Sequence, residues 1–306
     1  MIKNNDSNKM IIEVTQENEG LRIKGFLLEY YSFSSRLLRR LKKRDAILLN
    51  GKPVSVTKNV FRGDDLEIIF ENEKLNYEAV EMSLDILYED GDVLILNKPP
   101  FTVVHPTKTH LTNTLANGIA FYFKKNNIQK KIRFVNRLDM DTSGIIIIAK
   151  NSYAHQFVQK QMEDQSIEKR YNAVVSGQFP YDEGVINLPI GKKEKGDIVR
   201  KVFKEGKNSL TKFKKINDFG KKGALLEIEL ITGRTHQIRV HFKHYNNPLI
   251  GDSLYGETSN LINRHALHST YLKLRVPRNK EAVEIYSSLP ADVVRLINQL
   301  RVDYHE

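Results

Sequence analysis

The chain contains no cysteine and no tryptophan among its 306 residues. The lack of cysteine excludes disulfides, thiolate chemistry and most zinc sites. Apolar runs are short as well, and the longest, at residues 145–149, is far below the ~20 residues that cross a bilayer as a helix. The first nine residues are polar and lack the apolar core of a secretory signal. We therefore expect a cytoplasmic protein without a membrane-spanning segment.

Acidic residues are too few to balance the basic ones. The chain has 48 Lys and Arg against 37 Asp and Glu, which gives a net charge of +11 and a pI near 9.5. Excess positive charge does not determine a fold, but it attracts polyanions and speeds association with them. Nucleic acid is therefore the first partner to consider, and an anionic membrane surface is the second. With 40% hydrophobic and 28% charged residues, the composition is that of a globular protein.

Turns and charge runs divide the chain into three parts. Residues 1–20 are polar and are predicted to form a tail, residues 21–76 a small α/β module, and residues 77–306 a larger domain. In the larger domain the strongest strand patterns lie at 145–149, 171–176 and 225–231, and the strongest helix patterns at 113–126, 153–164 and 235–245. Because strands and helices do not alternate regularly, we predict an α+β fold with a mixed, mainly antiparallel sheet and flanking helices.

The small module contains a strongly basic helix. Ser34 or Ser35 is a suitable N-cap, and three leucines between residues 37 and 41 form a narrow apolar stripe. Six of the nine residues 36–44 are basic and none is acidic. Most charge runs are only solvated helix faces, but a salt-bridged surface helix would interleave glutamate. We therefore predict that this helix binds nucleic acid. The residues predicted to contact phosphates are Arg36, Arg39, Arg40 and Lys43.

The order of elements in this module resembles that of a known RNA-binding domain. After the basic helix come a short strand, the turn Asn50-Gly51, a second strand and a further turn at residues 62–65. Residues 35–64 are similar to the alpha-L domain named after a small-subunit ribosomal protein. The resemblance implies that two short helices and a strand turn present basic residues to structured RNA.

A carboxylate stands at a position suited to chemistry. Asp139 precedes the turn residues Thr142, Ser143 and Gly144, which lead into the β-branched run 145–149. That run is predicted to be a fully buried strand, so Asp139 lies in a loop held by a rigid element. An aspartate in such a loop more often caps backbone NH groups, and spacing alone does not decide between the two roles.

Several motifs in the same order resemble one enzyme family. Residues 137–144, R-L-D-M-D-T-S-G, are similar to the signature of the RluA-type, large-subunit-rRNA class of pseudouridine synthases. The stretches N-K-P at 97–99 with His105-Pro106, K-R-Y-N-A-V-V-S-G at 169–177 and T-G-R-T-H-Q-I-R-V-H at 232–241 match further motifs of that class. The resemblance spans residues 85–290. One departure is Asn136, where many members have His, and we expect it to alter local hydrogen bonding only.

The resemblance implies roles for individual residues. Asp139 would be the essential carboxylate, kept ionised by the guanidinium of Arg239. Tyr171 would stack on the uracil and take the carbon 5 proton in the last step. Arg137 would fill the space of the extruded base or grip a phosphate, although a structural salt bridge is equally compatible with the sequence. Arg234 and His236, in the T-G-R-T-H motif, would contact RNA.

The chemistry implied requires neither a cofactor nor a metal, because it breaks and remakes one glycosidic bond without redox change. Paired histidines such as His241 and His244 lack a nearby acidic ligand, so no metal site is predicted. The target base must leave its stack, which costs a few kcal/mol. Residues 191–222 carry 12 Lys and Arg against 4 Asp and Glu, a net +8 suited to phosphate contact. The partner is expected to be RNA, either rRNA or tRNA.

Two other functions remain open at this point. A non-catalytic RNA-binding or ribosome-assembly protein would need only the basic helix and the net charge. An aspartate-nucleophile hydrolase acting on a small substrate would use Asp139 but would not need a charge of +11. Only the RNA-modifying enzyme needs Asp139, Tyr171 and Arg239 together.

Overall fold

A computed structural model describes residues 8–107, 110–192, 194 and 197–305. The basic module is a four-stranded antiparallel sheet with two short helices. Its strand order is β1-β4-β2-β3. The strands are β1 (Lys9–Glu13), β2 (Ile47–Leu49), β3 (Lys52–Pro53) and β4 (Asp65–Ile69). The helices are α1 (Ile23–Gly25), which continues as a π-helical turn over Phe26–Tyr30, and α2 (Ser35–Lys42). A 3-10 turn covers Gln16–Asn18.

Residues 1–20 were predicted to form a tail, but Lys9–Glu13 of this segment form strand β1. Strand β1 pairs with β4 along its whole length, and Met10, Ile12 and Val14 are buried in the core of the module. The physical reason is the alternation in Lys9–Glu13, which places its apolar side chains on one face of the sheet. Residues 1–7, also assigned to the tail, lie outside the described residues.

Helix α2 and the hairpin that follows form as their sequences predict. The Ser34 hydroxyl accepts a hydrogen bond from the amide of Leu37 at 3.2 Å, so Ser34 is the N-cap. The three leucines of the helix are buried, while its basic residues are exposed. Between β2 and β3, Asn50 and Gly51 have φ values of 51° and 77°. Two successive left-handed residues are what a tight hairpin turn requires.

The larger domain is built on one ten-stranded sheet. Its main path has the order β10-β13-β14-β9-β15-β8-β6-β5, and β7 and β16 add to β8 and β15. Within the described ranges, all pairs are antiparallel except β8 with β15. A separate small hairpin joins β11 (Ile190–Gly191) to β12 (Lys201–Val202). The strands of the large sheet are β5 (Asp85–Glu89), β6 (Val93–Lys98), β7 (Arg133–Phe134), β8 (Ser143–Ala149), β9 (Glu168–Ser176), β10 (Glu183–Asn187), β13 (Leu210–Asp218), β14 (Gly223–Leu230), β15 (Leu267–Arg275) and β16 (Ala282–Tyr286).

Helices cover both faces of this sheet. They are α3 (Leu115–Lys125), α4 (Ser152–Glu163), α5 (Gln237–His244) and α6 (Ala291–His305), with a 3-10 turn at Gly220–Lys222. Along β8, Ile146 and Ile148 pack into the core that holds α3 and α5, whereas Ile145 and Ile147 pack into the core that holds α4. Burial on both faces explains why this strand is a continuous apolar run rather than an alternating one.

The predicted α+β class, with a mixed and mainly antiparallel sheet, is confirmed. Within the described residues, no helix is both long and apolar enough to cross a membrane.

Candidate active site

The loop that carries Asp139 is tied to the strand that follows it. Asn136 lies before the loop, and its side-chain oxygen accepts a hydrogen bond from the amide of Ile147 in β8 at 2.8 Å. Within the loop, the amide of Thr142 donates to the carbonyl of Asp139 at 3.1 Å. The expectation that Asn136 takes part in local hydrogen bonding agrees with this contact. The loop is therefore held to β8 through Asn136 and is closed by its own bond between Thr142 and Asp139.

Two buried cations hold the next two carbonyls of the loop. The amino group of Lys98 donates to the carbonyl of Met140 at 2.9 Å, and Arg264 donates to the carbonyl of Asp141 at 2.9 Å. Lys98 is fully buried at the end of β6 and also donates to the carbonyls of Pro99 and Thr102. Because the carbonyls of Asp139, Met140 and Asp141 each have a fixed partner, the backbone that carries the Asp139 carboxylate is held in place.

Hydroxyl groups of the loop bind two buried histidines. Thr142 Oγ1 lies 2.7 Å from His265 Nε2, and Ser143 Oγ lies 2.8 Å from His268 Nδ1. Burial lowers the pKa of His265 to about 3 and that of His268 to about 4. Both imidazoles are therefore neutral at pH 7, and they act here as hydrogen-bonding supports.

Arg239 joins two carboxylates. Its Nη1 lies 2.9 Å from Asp139 Oδ2, while its Nε and Nη2 each lie 2.7 Å from the two oxygens of Asp252. Arg239 is on the buried side of α5, and its guanidinium carbon is 5.0 Å from the centre of the Tyr255 ring. Burial by itself would raise the pKa of Asp252, but the hydrogen bonds and charge of Arg239 outweigh it and lower the pKa. The two hydrogen bonds to Asp252 thus orient the guanidinium of Arg239 so that its third nitrogen, Nη1, contacts Asp139.

His236 lies near the same oxygen of Asp139 that Arg239 contacts. It is the N-cap of α5 in a left-handed conformation, with φ 58°. Its Nε2 lies 3.7 Å from Asp139 Oδ2, and its Nδ1 lies 2.8 Å from the hydroxyl of Tyr255. Burial lowers the pKa of His236 more than the charge of Asp139 raises it. His236 is therefore neutral at pH 7, and its contact with Asp139 is not an ion pair.

Tyr171 faces the same cleft from β9. It is 6% exposed, and burial raises its pKa to about 12, so that the phenol is protonated at neutral pH. Its position in the strand places it opposite Ser269 of β15 and Ile228 of β14. An aromatic ring fixed in the centre of a sheet offers a flat surface on which a base can stack.

These residues surround a cleft of about 1100 Å³. This volume slightly exceeds the ~300–1,000 Å³ range of small-molecule sites, so a nucleotide with parts of its neighbours can enter. All six residues predicted for the catalytic domain line it. They are Arg137, Asp139, Tyr171, Arg234, His236 and Arg239. Arg137 and Arg234 are exposed at the rim, and Arg234 Nε donates to the carbonyl of Asn208 at 3.1 Å.

The predicted phosphate-binding residues of α2 lie elsewhere. Arg36, Arg39, Arg40 and Lys43 are exposed on the small module, and none is among the described residues that line the cleft. Arg40 is partly engaged within the protein, because its Nη2 donates to Ser152 Oγ of α4 at 2.6 Å. The structure therefore separates the predicted RNA contacts into two groups.

Sequence reasoning assigned no role to several residues of the site. Lys98 occurs in the quoted N-K-P motif, and Asp252 and Tyr255 follow the motif at 232–241, but nothing in the sequence indicates that they converge on the Asp139 loop and Arg239. The same holds for Arg264, whose bond to the loop carbonyl depends on its pairing with Asp292 at 2.7 Å. Long-range contacts of this kind carry no local sequence signal.

His241 of α5 is engaged in ordinary hydrogen bonds. His241 Nδ1 lies 2.9 Å from Thr211 Oγ1, and its Nε2 lies 3.0 Å from the carbonyl of Leu188. Among the described residues, no group of three or more His, Asp or Glu is arranged to hold a metal ion.

A mixed sheet with a nucleotide-sized cleft around a paired aspartate and arginine suits an enzyme that acts on a nucleic-acid base. Comparison with known proteins specifies which. Residues 92–244 match the family model described as RNA pseudouridylate synthase. The chain is 38% identical to the uncharacterized RNA pseudouridine synthase YlyB of Bacillus subtilis, over 96% of this chain and 99% of that one. It is 32% identical to the ribosomal large subunit pseudouridine synthase D of Haemophilus influenzae, over 96% of this chain and 95% of that one.

Solved structures agree with these sequence matches. Human RNA pseudouridylate synthase domain containing 1 superposes with a TM-score of 0.57 at 26% identity, covering 72% of this chain and 95% of that one. The chain belongs to the RNA pseudouridylate synthase family, and it is an enzyme that isomerises uridine in RNA. The predicted membership of the RluA-type class is confirmed.

Proposed function

We propose that this enzyme converts chosen uridines of large-subunit rRNA into pseudouridine, with Asp139 as the catalytic carboxylate. The observation that supports this most directly is the 2.9 Å contact between Asp139 and Arg239 in the wall of the cleft. A relative of similar length and 32% identity is named for activity on the large ribosomal subunit. tRNA is the alternative substrate.

Asp139 has the surroundings that breaking a glycosidic bond requires. As the bond between ribose carbon 1′ and uracil N1 breaks, positive charge develops on the sugar, and a carboxylate can stabilise that charge or attack the carbon. Arg239 donates a hydrogen bond to Asp139, while Asp252 keeps the guanidinium in place. The freed uracil rotates, carbon 5 bonds to carbon 1′, carbon 5 loses its proton and N1 gains one.

Tyr171 completes the chemistry on the base. Its ring provides the stacking surface for the extruded uracil, and its hydroxyl accepts the carbon 5 proton. Because burial raises the pKa of Tyr171 to about 12, the phenol can accept that proton only as it passes its own proton on. This isomerisation involves no oxidation or reduction and transfers no group to another molecule, so we propose no cofactor.

RNA binding is divided between two groups of residues. Arg137, Arg234 and His236 contact the target nucleotide and its neighbours at the cleft. We assign residues 21–76, extended by strand β1, to an alpha-L-type RNA-binding domain and residues 77–306 to the catalytic domain. The cations of α2 then bind phosphates outside the cleft. An rRNA substrate is consistent with a cytoplasmic location.

The test compares pseudouridine maps of total RNA, read as carbodiimide adduct stops, from wild-type and deletion strains. We expect at least one large-subunit rRNA site to disappear on deletion and to return with the wild-type gene. Asp139→Asn should not restore it, and its turnover in vitro should fall by about 10²–10⁴-fold or more while RNA binding persists. Full complementation by Asp139→Asn would instead identify a non-catalytic RNA-binding or ribosome-assembly role. Loss of a tRNA site alone would refute the rRNA assignment.

A further inference from the structure

Helix α2 of the small module lies against helix α4 of the catalytic domain. Near the start of α2, the amide of Ser34 donates to Gln156 Oε1 at 3.1 Å, and Gln156 Nε2 donates to the carbonyl of Ser32 at 3.1 Å. Further along α2, Arg40 donates to Ser152 Oγ at 2.6 Å. Contacts on α4 thus move from 156 back to 152 as α2 advances from 34 to 40. The two helices therefore run antiparallel.

The core of the small module is completed by a residue of the catalytic domain. Tyr153 of α4 is fully buried, and its ring centre lies 4.4 Å from that of Phe33 and 6.3 Å from that of Phe70. Its hydroxyl donates to the carbonyl of Pro277 at 3.0 Å. Exposing such a ring costs the ~1.5–3 kcal/mol typical of a large apolar side chain, so separation of the two units is unfavourable.

A second contact closes the other side of this interface. Arg278 donates to the carbonyl of Lys9 in β1 at 2.8 Å while it pairs with the buried Asp92 at 3.0 Å. Lys280 donates to the carbonyl of Tyr30, and its amino group stands 3.9 Å from the centre of the Tyr30 ring. The catalytic domain thus contacts the small module at β1, at the π-helical turn and near the start of α2.

The acidic linker between the two units, residues 71–81, is bound to the catalytic domain as well. Both carboxylate oxygens of Glu73 accept from Nη2 of Arg133, at 2.6 and 2.8 Å, and Asn76 Oδ1 accepts from the amide of Ile132 at 3.0 Å. Lys130 donates to the carbonyl of Glu71 at 2.8 Å. A linker fixed along its length cannot act as a flexible tether.

Helix α4 continues from this interface into the active-site cleft. Gln159, Met162 and Glu163 line the cleft. They follow Gln156 by three to seven residues, which is about 5–10 Å along a helix. The start of α2 therefore lies within about two helical turns of the cleft rim, although the α2 cations themselves are outside it.

The exposed face of α2 is a row of cations. Arg36, Arg39 and Lys43 are spaced i, i+3 and i+7, so they share one face about 10 Å long. In the ranges that the structure describes, none of the three forms an ion pair, whereas Arg44 at the end of the helix pairs with Glu71. A row of this length matches about three phosphates along one strand of a duplex.

We propose that α2 and α4 are held in one fixed arrangement that binds a folded RNA, and we call this arrangement the track. The phosphates of a short duplex bind to the α2 row while a uridine beside that duplex enters the cleft. This inference rests on the proposed function. A duplex fits better than a single strand, because proteins that bind single strands use aromatic stacking and α2 has no aromatic residue. Duplex RNA is instead recognised through its shape and phosphates.

The fixed geometry can be measured without any RNA chemistry. Because the chain has no cysteine, Ser35→Cys and Lys160→Cys place spin labels at exposed positions on α2 and α4 alone. We expect electron–electron dipolar spectroscopy to give a single narrow distance distribution, unchanged by rRNA. Adding Gln156→Ala and Lys280→Ala should broaden it, whereas Gln299→Ala, an exposed glutamine of α6, should not. A broad or RNA-dependent distribution in the parent pair would overturn the proposal.

Activity on two substrates tests whether the track matters. One is protein-free large-subunit rRNA, and the other is a five-nucleotide RNA centred on the uridine that the wild type modifies there. We expect Arg36→Ala/Arg39→Ala/Lys43→Ala to lower kcat/KM on the rRNA by about tenfold or more, with the salt slope of binding reduced by about 3, and to leave the short RNA unaffected. Gln156→Ala/Lys280→Ala should show the same selective loss, although neither residue belongs to the row.

The outcomes separate the two proposals. Equal activity of the Gln156→Ala/Lys280→Ala variant and the wild type on both substrates would show that the fixed interface has no role in substrate use. Equal loss on both substrates would show that these variants act through the cleft and not through a track. If the wild type does not modify the rRNA, the rRNA assignment fails, and the distance distributions still decide whether the two units form one body.

Discussion

Asp139 and Arg239 lie 100 positions apart in the chain, and 2.9 Å separates Oδ2 of the first from Nη1 of the second. Arg239 makes this contact with the one nitrogen that Asp252 does not occupy. The Asp139 carboxylate is thus positioned indirectly by a second carboxylate that is fully buried. Asp252 is a positioning residue in this arrangement, because it acts through Arg239.

Asp252→Asn should therefore damage catalysis and stability together. The amide keeps the shape of the side chain but leaves the buried guanidinium short of one charged partner, a change that typically costs about 3–5 kcal/mol. We expect kcat to fall by about tenfold or more with a smaller change in KM, and urea denaturation to show the loss of stability. Glu284→Gln weakens the exposed pair with Lys273 and should leave the stability close to that of the wild type. Equal effects of the two variants would contradict the positioning role.

Tyr171→Phe separates stacking from proton transfer. The variant keeps the ring, so its affinity for RNA should stay within about twofold of the wild type, whereas turnover should fall by about 10²–10⁴-fold. Release of tritium from carbon 5 of labelled uridine measures the step directly. Since the pKa of Tyr171 is raised to about 12, ionisation of this phenol should not affect the wild-type pH–rate profile below about pH 11. Normal tritium release by Tyr171→Phe would limit the residue to stacking.

Much of the architecture could be predicted because its signals are local. The run 145–149, the cap at Ser34 and the turn at Asn50-Gly51 each specify a structure within a few residues, and helix α3 at Leu115–Lys125 falls inside its predicted range. Strand β1 was missed because five residues in a polar segment form a strand only when β4, more than fifty residues later, supplies the partner.

The site was predictable only where a motif marked it. The family resemblance predicted that Arg239 lies beside Asp139, and the contact between the two side chains agrees with that prediction. Lys98 could not be placed in the interior, since lysine is almost never fully buried. Its three carbonyl partners come from loops that periodicity does not describe. The packing of Tyr153 into the core of the small module could not be predicted either, because a contact between two units leaves no pattern in the sequence of either unit.

Gly144 allows the closest approach in the sheet that carries the site. Its φ is +107°, and a Cβ at this position would lie 2.2 Å from the carbonyl oxygen of Ser269 in β15. Gly144→Ala should therefore destabilise the fold by about 2–4 kcal/mol through strain and overlap. Gly233→Ala is the matched control, since nothing lies within 4 Å of its Cβ position. Thermal unfolding of both variants measures the difference, and similar melting temperatures would show that β8 and β15 can separate without cost.

Lys98→Met tests the buried cation beneath the Asp139 loop. Burial, with the nearby charge of Arg264 acting in the same direction, lowers the pKa of Lys98 from 10.5 to about 7. Between these values the unfolded chain holds a proton that the folded chain has released. Linkage then makes the free energy of unfolding rise with pH across this window. The contribution is complete above about pH 10.5 and is lost as pH falls through about 7.

Lys98→Met should remove this pH dependence. Urea titrations at several pH values should show the wild type gaining stability relative to Lys98→Met between pH 7 and 10.5, whereas Lys160→Met, at an exposed position of α4, should run parallel to the wild type. Turnover should also fall, because the carbonyl of Met140 loses its donor and the loop that presents Asp139 gains freedom. Parallel stability curves for all three proteins would mean that Lys98 keeps its proton throughout, with its three carbonyl partners outweighing the cost of burial.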